Sequence, residues 1–421
     1  MTDRLRRRGE FARNVVTLMT GTTMAQAIPV AISPVLTRMY GPQDFGVLAL
    51  FVAITSIFGA IANARYELAV MLPESDEDAL NIAALGLLVA VTLSAVLMIV
   101  VLLFNGPISN LLGSADIGPW LYLAPPVVLF LGLFNVLNYY NNRLKRYRDI
   151  ARANILKAVV LATVQLAAGA LKAGAAGLVA GQVLSSMLAN ARLLKNTLAH
   201  ANWRTTVRWQ RMKALGLRYA DFPKFSMPAI LANSLSYNLT NILISSFYSV
   251  STLGFYSLVQ RVLGMPSSLL GNSVGQVFFQ QATDERRRTG LARKSFDSTV
   301  KYLILISTVS FSIIYFVAED VFAWVFGEQW RIAGTYAKLL APFFAIRFVV
   351  SSVTTINSVF EKQRISLIWQ IALMSALLAT IIASEIFDIE FTNFIIIFSS
   401  VGGICYLLLL NLLFLVSRGR L

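Results

Sequence analysis

Residues 40–46 read YGPQDFG and open a long apolar segment; 208 residues later, residues 248–254 read YSVSTLG and open another. Tyrosine and the final hydrophobic-glycine pair hold the same places in both, as Tyr40, Phe45-Gly46 and Tyr248, Leu253-Gly254. A second landmark repeats further on. Leu123-Ala124-Pro125 returns 217 residues later as Leu340-Ala341-Pro342, and Lys145 returns at that offset as Lys362. Two landmarks at nearly one offset, in a chain built almost wholly of apolar segments, indicate a duplicated membrane bundle with its working site between the halves. That architecture points to transport.

The 421 residues are 57% hydrophobic and only 14% charged, against the roughly 25% charged of a soluble domain. Runs of about 20 apolar residues without central acids number twelve. They fall near 12–38, 45–70, 80–104, 118–141, 150–171 and 175–198, and again near 222–248, 253–280, 298–318, 333–360, 364–386 and 391–417. The period-two alternation of a membrane β-barrel is absent from them, so each span is expected to be a helix that satisfies its own backbone. The expected fold is an all-α integral membrane protein, with twelve transmembrane helices in two pseudo-symmetric six-helix lobes around a central cavity. Its parts are an N-terminal lobe over 1–198, a basic cytoplasmic linker over 199–221 and a C-terminal lobe over 222–421.

A net charge of +15 raises the question of nucleic acid, and the placement of the cations answers it. Arg4, Arg6, Arg7, Arg8 and Arg13 precede the first span; Arg143 to Arg152 join spans four and five; Arg204 to Arg218 join the halves; Arg286 to Lys294 join spans eight and nine. The intervening loops hold almost none. Such alternation is the positive-inside pattern, and it puts both termini and the linker in the cytoplasm. One loop dissents: Glu74, Asp76, Glu77 and Asp78 crowd a cytoplasmic turn.

The first apolar segment, about 27 residues long, lacks a short core and a small-residue cleavage site, so it reads as a span and not a cleaved signal. The single cysteine, Cys405, falls inside the last segment, and His200 stands alone beside the linker. Neither supports a metal cluster. No phosphate-binding loop, dinucleotide fingerprint or large extramembrane loop is present to house a catalytic set, so no enzyme activity, cofactor or metal is expected. Acids are missing from 11–43, 150–220, 222–283 and 332–360. A proton- or sodium-coupled carrier usually keeps a buried carboxylate. Only Glu67 is placed to serve, and its neighbour Arg65 makes a local ion pair the favoured reading.

Buried cations are the positive signal. Arg347 lies at the middle of span ten, and Arg261 lies eight residues inside span eight, roughly 12 Å of helical rise from its end. A central arginine costs about 2.5 kcal/mol or more unless it faces water, a partner or an anion. A guanidinium stays charged and grips phosphate oxygens with two donors, so a wet cavity for an anionic substrate is the economical account. Ser257, Arg261, Gly264, Ser268, Asn272 and Gly275 step by three or four residues along one face of span eight. Asn233 and Tyr237 lie in a similarly polar span seven, with Thr17, Thr20 and Gly21 in span one. Arg38 and Lys157 lie nearer the ends of their spans. Serines and glycines in such places also tighten helix packing. Pro29, Pro34, Pro125, Pro126, Pro228, Pro266 and Pro342 favour kinks. Trp203 and Trp209 among the linker's cations fit either an amphipathic segment on the inner leaflet or a solvated loop.

The stretch from Tyr219 to Ala282, YADFPKFSMPAILANSLSYNLTNILISSFYSVSTLGFYSLVQRVLGMPSSLLGNSVGQVFFQQA, resembles the second-half signature of bacterial polysaccharide-unit flippases. Ser33 to Phe51, SPVLTRMYGPQDFGVLALF, resembles their first-half signature. These flippases belong to the multidrug, oligosaccharidyl-lipid and polysaccharide exporter superfamily. The resemblance implies translocation of an undecaprenyl-diphosphate-linked oligosaccharide repeat unit from the cytoplasmic to the periplasmic leaflet by alternating access, with Arg261 as the best-matched cavity cation. It also implies residence in the bacterial inner membrane, a role in O-antigen, lipopolysaccharide or exopolysaccharide biosynthesis, and a polysaccharide polymerase and chain-length regulator as partners. Related lipid II flippases carry more cavity cations in span one, where this chain has only Arg38. The alternatives are a multidrug or cation antiporter of the same fold, disfavoured by the acid-free spans, and a membrane glycan polymerase or ligase, disfavoured by the short loops.

Overall fold

The computed structural model describes residues 23–198 and 203–420. The N-terminal basic cluster, His200 and the polar set Thr17, Thr20 and Gly21 lie outside the described residues. The chain divides into two compact units, Met1–Leu253 and Gly254–Leu421, and no strand occurs among the described residues. The principal helices are α1 (Ser33–Met39), α2 (Pro42–Ile61), α3 (Asp76–Leu111), α4 (Ala124–Arg143), α5 (Tyr147–Ala170), α6 (Ala175–Leu198), α7 (Trp209–Arg218) and α8 (Met227–Phe247). There follow α9 (Val250–Pro266), α10 (Asn272–Thr289), α11 (Arg293–Phe326), α12 (Arg331–Val353), α13 (Gln363–Ile386) and α14 (Phe391–Ser417).

Among the described residues, seven helices are long and apolar enough to cross a bilayer, and an eighth crossing is added if the pair Ala115–Leu121 and α4, bent by 51°, counts as one. The molecule is a multi-pass membrane protein. The expected crossings that fall short do so for visible reasons: α6 and α8 carry too many amides and hydroxyls, and the α9–α10 segment is interrupted by a turn. Span boundaries shift too. Span two, expected to reach residue 70, stops at Ile61, because Ala64 and Arg65 take left-handed backbone at φ 47° and 66°.

Local chemistry explains the helix starts. Pro42 needs no helical N–H at the head of α2, and the Asp44 carboxylate accepts from Gly41 N at 2.9 Å. Ser75 caps α3 by accepting from Asp78 N at 3.1 Å, with Asp76, Glu77 and Asp78 in the first turn. Three of the four dissenting acids are therefore N-terminal helix residues, and two of these meet cations: Asp76 pairs with Arg143 at 2.9 Å and Asp78 with Arg211 at 2.6 Å.

One stretch of elements recurs in each unit. In the first, α3 runs for 36 residues, Gly113 turns at φ 70° and one tight turn over Ala115–Ile117 follows. In the second, α11 runs for 34 residues, Gly327 turns at φ 108° and the tight turn is Glu328–Trp330. Helices α5 and α13 are both 24 residues long. Before them stand left-handed Lys145 (φ 56°) and Glu361 (φ 61°); after them, Lys172 (φ 55°) and Asp388 (φ 49°). At the first corner Arg146 N donates to Asn141 O at 2.9 Å, and Lys362 N to Asn357 O at 2.7 Å. Both are the wide bond that closes a helix through a left-handed residue. The asparagine recurs but its side-chain partner does not, since Asn141 donates to Thr197 Oγ1 of α6 at 2.9 Å and Asn357 to Ser366 Oγ of α13 at 2.8 Å.

This register corrects one sequence pairing. The left-handed counterpart of Lys145 is Glu361, so Lys145 and Lys362 are one position out of step. The proline landmark also differs between units: Pro125 opens α4 after the 51° bend, whereas Pro342 sits inside the unbroken α12.

Candidate functional site

The first unit holds Arg38, Lys157, Asn233 and Tyr237. Arg38 is in the last turn of α1 and exposed. Lys157 is partly buried in α5, its Nζ 5.6 Å from the centre of the Phe134 ring, so the α4–α5 packing already engages it. Helix α8 splits its polar residues between two jobs. Ser234 backs onto α2, donating to Ser56 O at 3.4 Å, while Ser245 and Ser246 donate to Leu112 O and Leu111 O at the end of α3. These serines tighten packing. Asn233 and Tyr237, one turn apart, are partly buried and exposed respectively, and Tyr237 keeps 56% of its surface.

The second unit holds Ser257, Arg261 and Arg347. Aromatic contacts pin α9 against its neighbours: Phe255 meets Trp330 at 5.6 Å and Tyr336 at 6.3 Å, and Tyr256 meets Phe391 and Phe398 at 6.5 Å each. The Tyr256 hydroxyl pairs with the Gln260 side chain and lies within electrostatic reach of Arg347. Arg347, partly buried on α12, places its guanidinium carbon 5.6 Å from the Phe344 ring centre. The structure therefore brings Arg347 to the same helix that carries Arg261. Tyr256 and Gln260 belong to this polar group and were missed in the sequence, where Gln260 beside Arg261 in an apolar run was the available signal. One turn from Arg261, a Cβ added at Gly264 would meet nothing within 4 Å. Space is open there. Ser257 is less available than its position suggests, because its hydroxyl donates to Gly254 O at 2.9 Å.

The polar stripe read from the sequence does not continue as one helical face. Pro266 lacks a backbone N–H, and a wide turn over Ser267–Gly271 follows it before α10 begins. Five residues in a widened turn rotate everything after them relative to Arg261. The side chains of Ser268 and Asn272 lie outside those the structure describes. The turn itself packs on α12, where a Cβ at Gly271 would sit 3.0 Å from Ser352 Oγ and one at Gly275 3.1 Å from Ser352 O. Ser267 Oγ is enclosed there with no hydrogen-bond partner among the described residues.

Glu67 is buried and makes its ion pair with Arg65 at 3.1 Å, the local arrangement favoured above. Among the described residues no three His, Cys, Asp or Glu side chains converge on a metal position.

Residues 35–333, most of the chain, match the family described as polysaccharide biosynthesis protein. The chain belongs to that family. Among curated proteins, the succinoglycan biosynthesis transport protein ExoT of Rhizobium meliloti (strain 1021) is 24% identical over 314 residues, covering 73% of this chain and 61% of its own. The family member described here thus spans under two thirds of that relative's length. Among solved structures, the lipid II flippase MurJ in an inward closed conformation aligns with a TM-score of 0.74 at 12% identity, over 97% of this chain and 90% of its own. An inward-facing multidrug resistance transporter of the MATE family aligns with a TM-score of 0.67 at 14% identity, over 95% and 94%. The chain shares the fold of these two solved structures.

Proposed function

We propose that the chain is a flippase that carries an undecaprenyl-diphosphate-linked oligosaccharide unit from the cytoplasmic to the periplasmic leaflet of the bacterial inner membrane, by alternating access. The observation that carries the reading is the pair Arg261 and Arg347, on two helices that meet through Tyr256, with no acid anywhere in residues 332–360 or 222–283. Cations kept at depth without acids suit a diphosphate, which cannot cross about 30 Å of hydrocarbon unaided. Membership of a polysaccharide biosynthesis family and likeness to a succinoglycan transport protein support the substrate class. The reading includes twelve spans in two lobes of six, with the linker over 199–221 and both termini in the cytoplasm. Arg38, Lys157, Asn233, Tyr237, Ser257, Ser268 and Asn272 complete the proposed substrate contacts, and a polymerase and a chain-length regulator act on the product.

Deletion of the gene followed by analysis of lipid-linked oligosaccharides tests this directly. Complete units should accumulate on the inner leaflet. Unpolymerised units accumulating outside would identify a polymerase and overturn the reading.

A further inference from the structure

We propose that the crevice between α11 and α14 of the second unit is a binding site for an anionic phospholipid. Its volume is about 540 Å³, and Phe296, Val300, Ile304, Leu407 and Leu410 give it an apolar floor. That size lies within the roughly 300–1,000 Å³ of sites that hold small ligands. The mouth is charged. Asp297 and Lys301 stand one turn apart on its rim, but their charges are not equally free. Asp297 is balanced by Arg418 at 3.0 Å and by Arg293 at 3.6 Å, and Arg418 is held in place by stacking 3.4 Å over the Phe414 ring. Lys301 is exposed and makes no ion pair among the described residues. The mouth therefore presents a net positive charge over an apolar slot.

The slot opens towards hydrocarbon. Beside it α11 exposes Tyr302 and Leu305 at 69% and 63%, and α14 exposes Leu408 at 60%, the faces of helices that cross a membrane. Lys301 lies only three residues inside the apolar run that begins near residue 298, close enough for its ammonium to reach the interface. An acyl chain fills the slot while the phosphate of an acidic headgroup meets Lys301. This is the pattern of basic pockets between helices that select acidic lipids. Inorganic phosphate would leave the apolar floor empty, and a zwitterionic lipid brings its own cation to the lysine.

Native mass spectrometry of the purified full-length chain, titrated separately with phosphatidylglycerol and phosphatidylcholine of identical acyl chains, tests the site. Phosphatidylglycerol should be retained in preference to phosphatidylcholine. Lys301→Glu should weaken phosphatidylglycerol binding about fivefold or more without changing phosphatidylcholine, and Leu410→Trp, which fills the slot, should weaken both. Lys301→Gln, which removes charge without adding an acid, should fall between. Equal retention of the two lipids by the unsubstituted protein, or unchanged phosphatidylglycerol binding in both Lys301→Glu and Leu410→Trp, would overturn the proposal. None of these outcomes depends on what the protein transports.

Discussion

Gly46 packs against the backbone of Val250 so closely that a Cβ on Gly46 would lie 1.8 Å from the Val250 carbonyl oxygen and 2.7 Å from its carbon. The two copies of the repeated motif thus touch inside the unit Met1–Leu253. Glycine is required because the neighbour is backbone at the head of α9 and not a side chain that can rotate away.

Gly46→Ala should therefore destabilise the protein by about 1–3 kcal/mol, the usual cost of overpacking, and lower the thermal unfolding midpoint in detergent. Gly106→Ala is the matched control. A Cβ there meets nothing within 4 Å, and alanine favours a helix over glycine by about 1 kcal/mol. A Gly46→Ala midpoint at or above that of Gly106→Ala would mean the helices slide apart at little cost.

Tyr40 explains why the motif begins with a tyrosine. Its ring is buried, its hydroxyl donates to Gln165 O at 2.6 Å, and a Cβ on Gly177 would come within 2.4 Å of that hydroxyl. Tyr40→Phe should cost about 0.5–1.5 kcal/mol for the lost bond. Gly177→Ala should cost more in the native background than in Tyr40→Phe, where the hydroxyl is gone. Strict additivity in that double-mutant cycle would show that the hydroxyl is not the obstacle.

How much of this was legible in the sequence follows from the kind of signal each feature leaves. Tyr40 and Gly46 stood out because close approach demands particular residues, and α13 and α14 matched their expected limits because their apolar runs are uninterrupted. The register near Lys145 was misread because a left-handed position is defined by backbone angle, and Glu361 fills it as well as a lysine does. The stripe through Arg261 failed beyond Pro266 because a single proline changes the period that the pattern assumed. The linker is a docked helix and not a solvated loop. Met212 and Leu215 of α7 are buried, Leu215 in a cluster with Ala79, Leu80 and Ala83, while Trp203 stacks at 6.2 Å from Tyr140 and Trp209 stays 65% exposed. A ten-residue helix with two apolar contacts on α3 looks, as a string, much like a solvated loop.

The docked linker should respond to acid. Arg211 holds Asp78 with two bonds, 2.6 and 2.7 Å, and this pairing keeps the Asp78 carboxyl below the ordinary carboxylate range. A lowered folded value means that the contribution is present above the unfolded value, about 3.9, and is lost as pH falls through the folded one. Arg211 is exposed while Asp78 is half-buried, so the effect is modest and shrinks with salt. Amide exchange over residues 209–218 should accelerate relative to other helices as the pH drops below about 4, and Asp78→Asn should abolish that extra acceleration. The same acid response in Asp78→Asn would assign it to other groups.

The arginines decide the transport proposal. Arg261→Ala and Arg347→Ala should each lower translocation by roughly ten- to a hundredfold, the equivalent of about 1.5–3 kcal/mol for a hydrogen bond to a charged group. Expression and membrane insertion should persist, since removing a buried charge relieves a cost. Lysine replacements should restore only part of the activity, because an ammonium supplies charge without the planar fork that fits a diphosphate. Lys157→Ala should be milder, its ammonium being engaged with Phe134, and so should Arg38→Ala at the exposed end of α1. Full activity in a flipping assay of the Arg261→Ala, Arg347→Ala double variant would make both residues structural. The Tyr256–Gln260–Arg347 group would then be a packing feature of α9 and α12, and the diphosphate would have to be held by other cations.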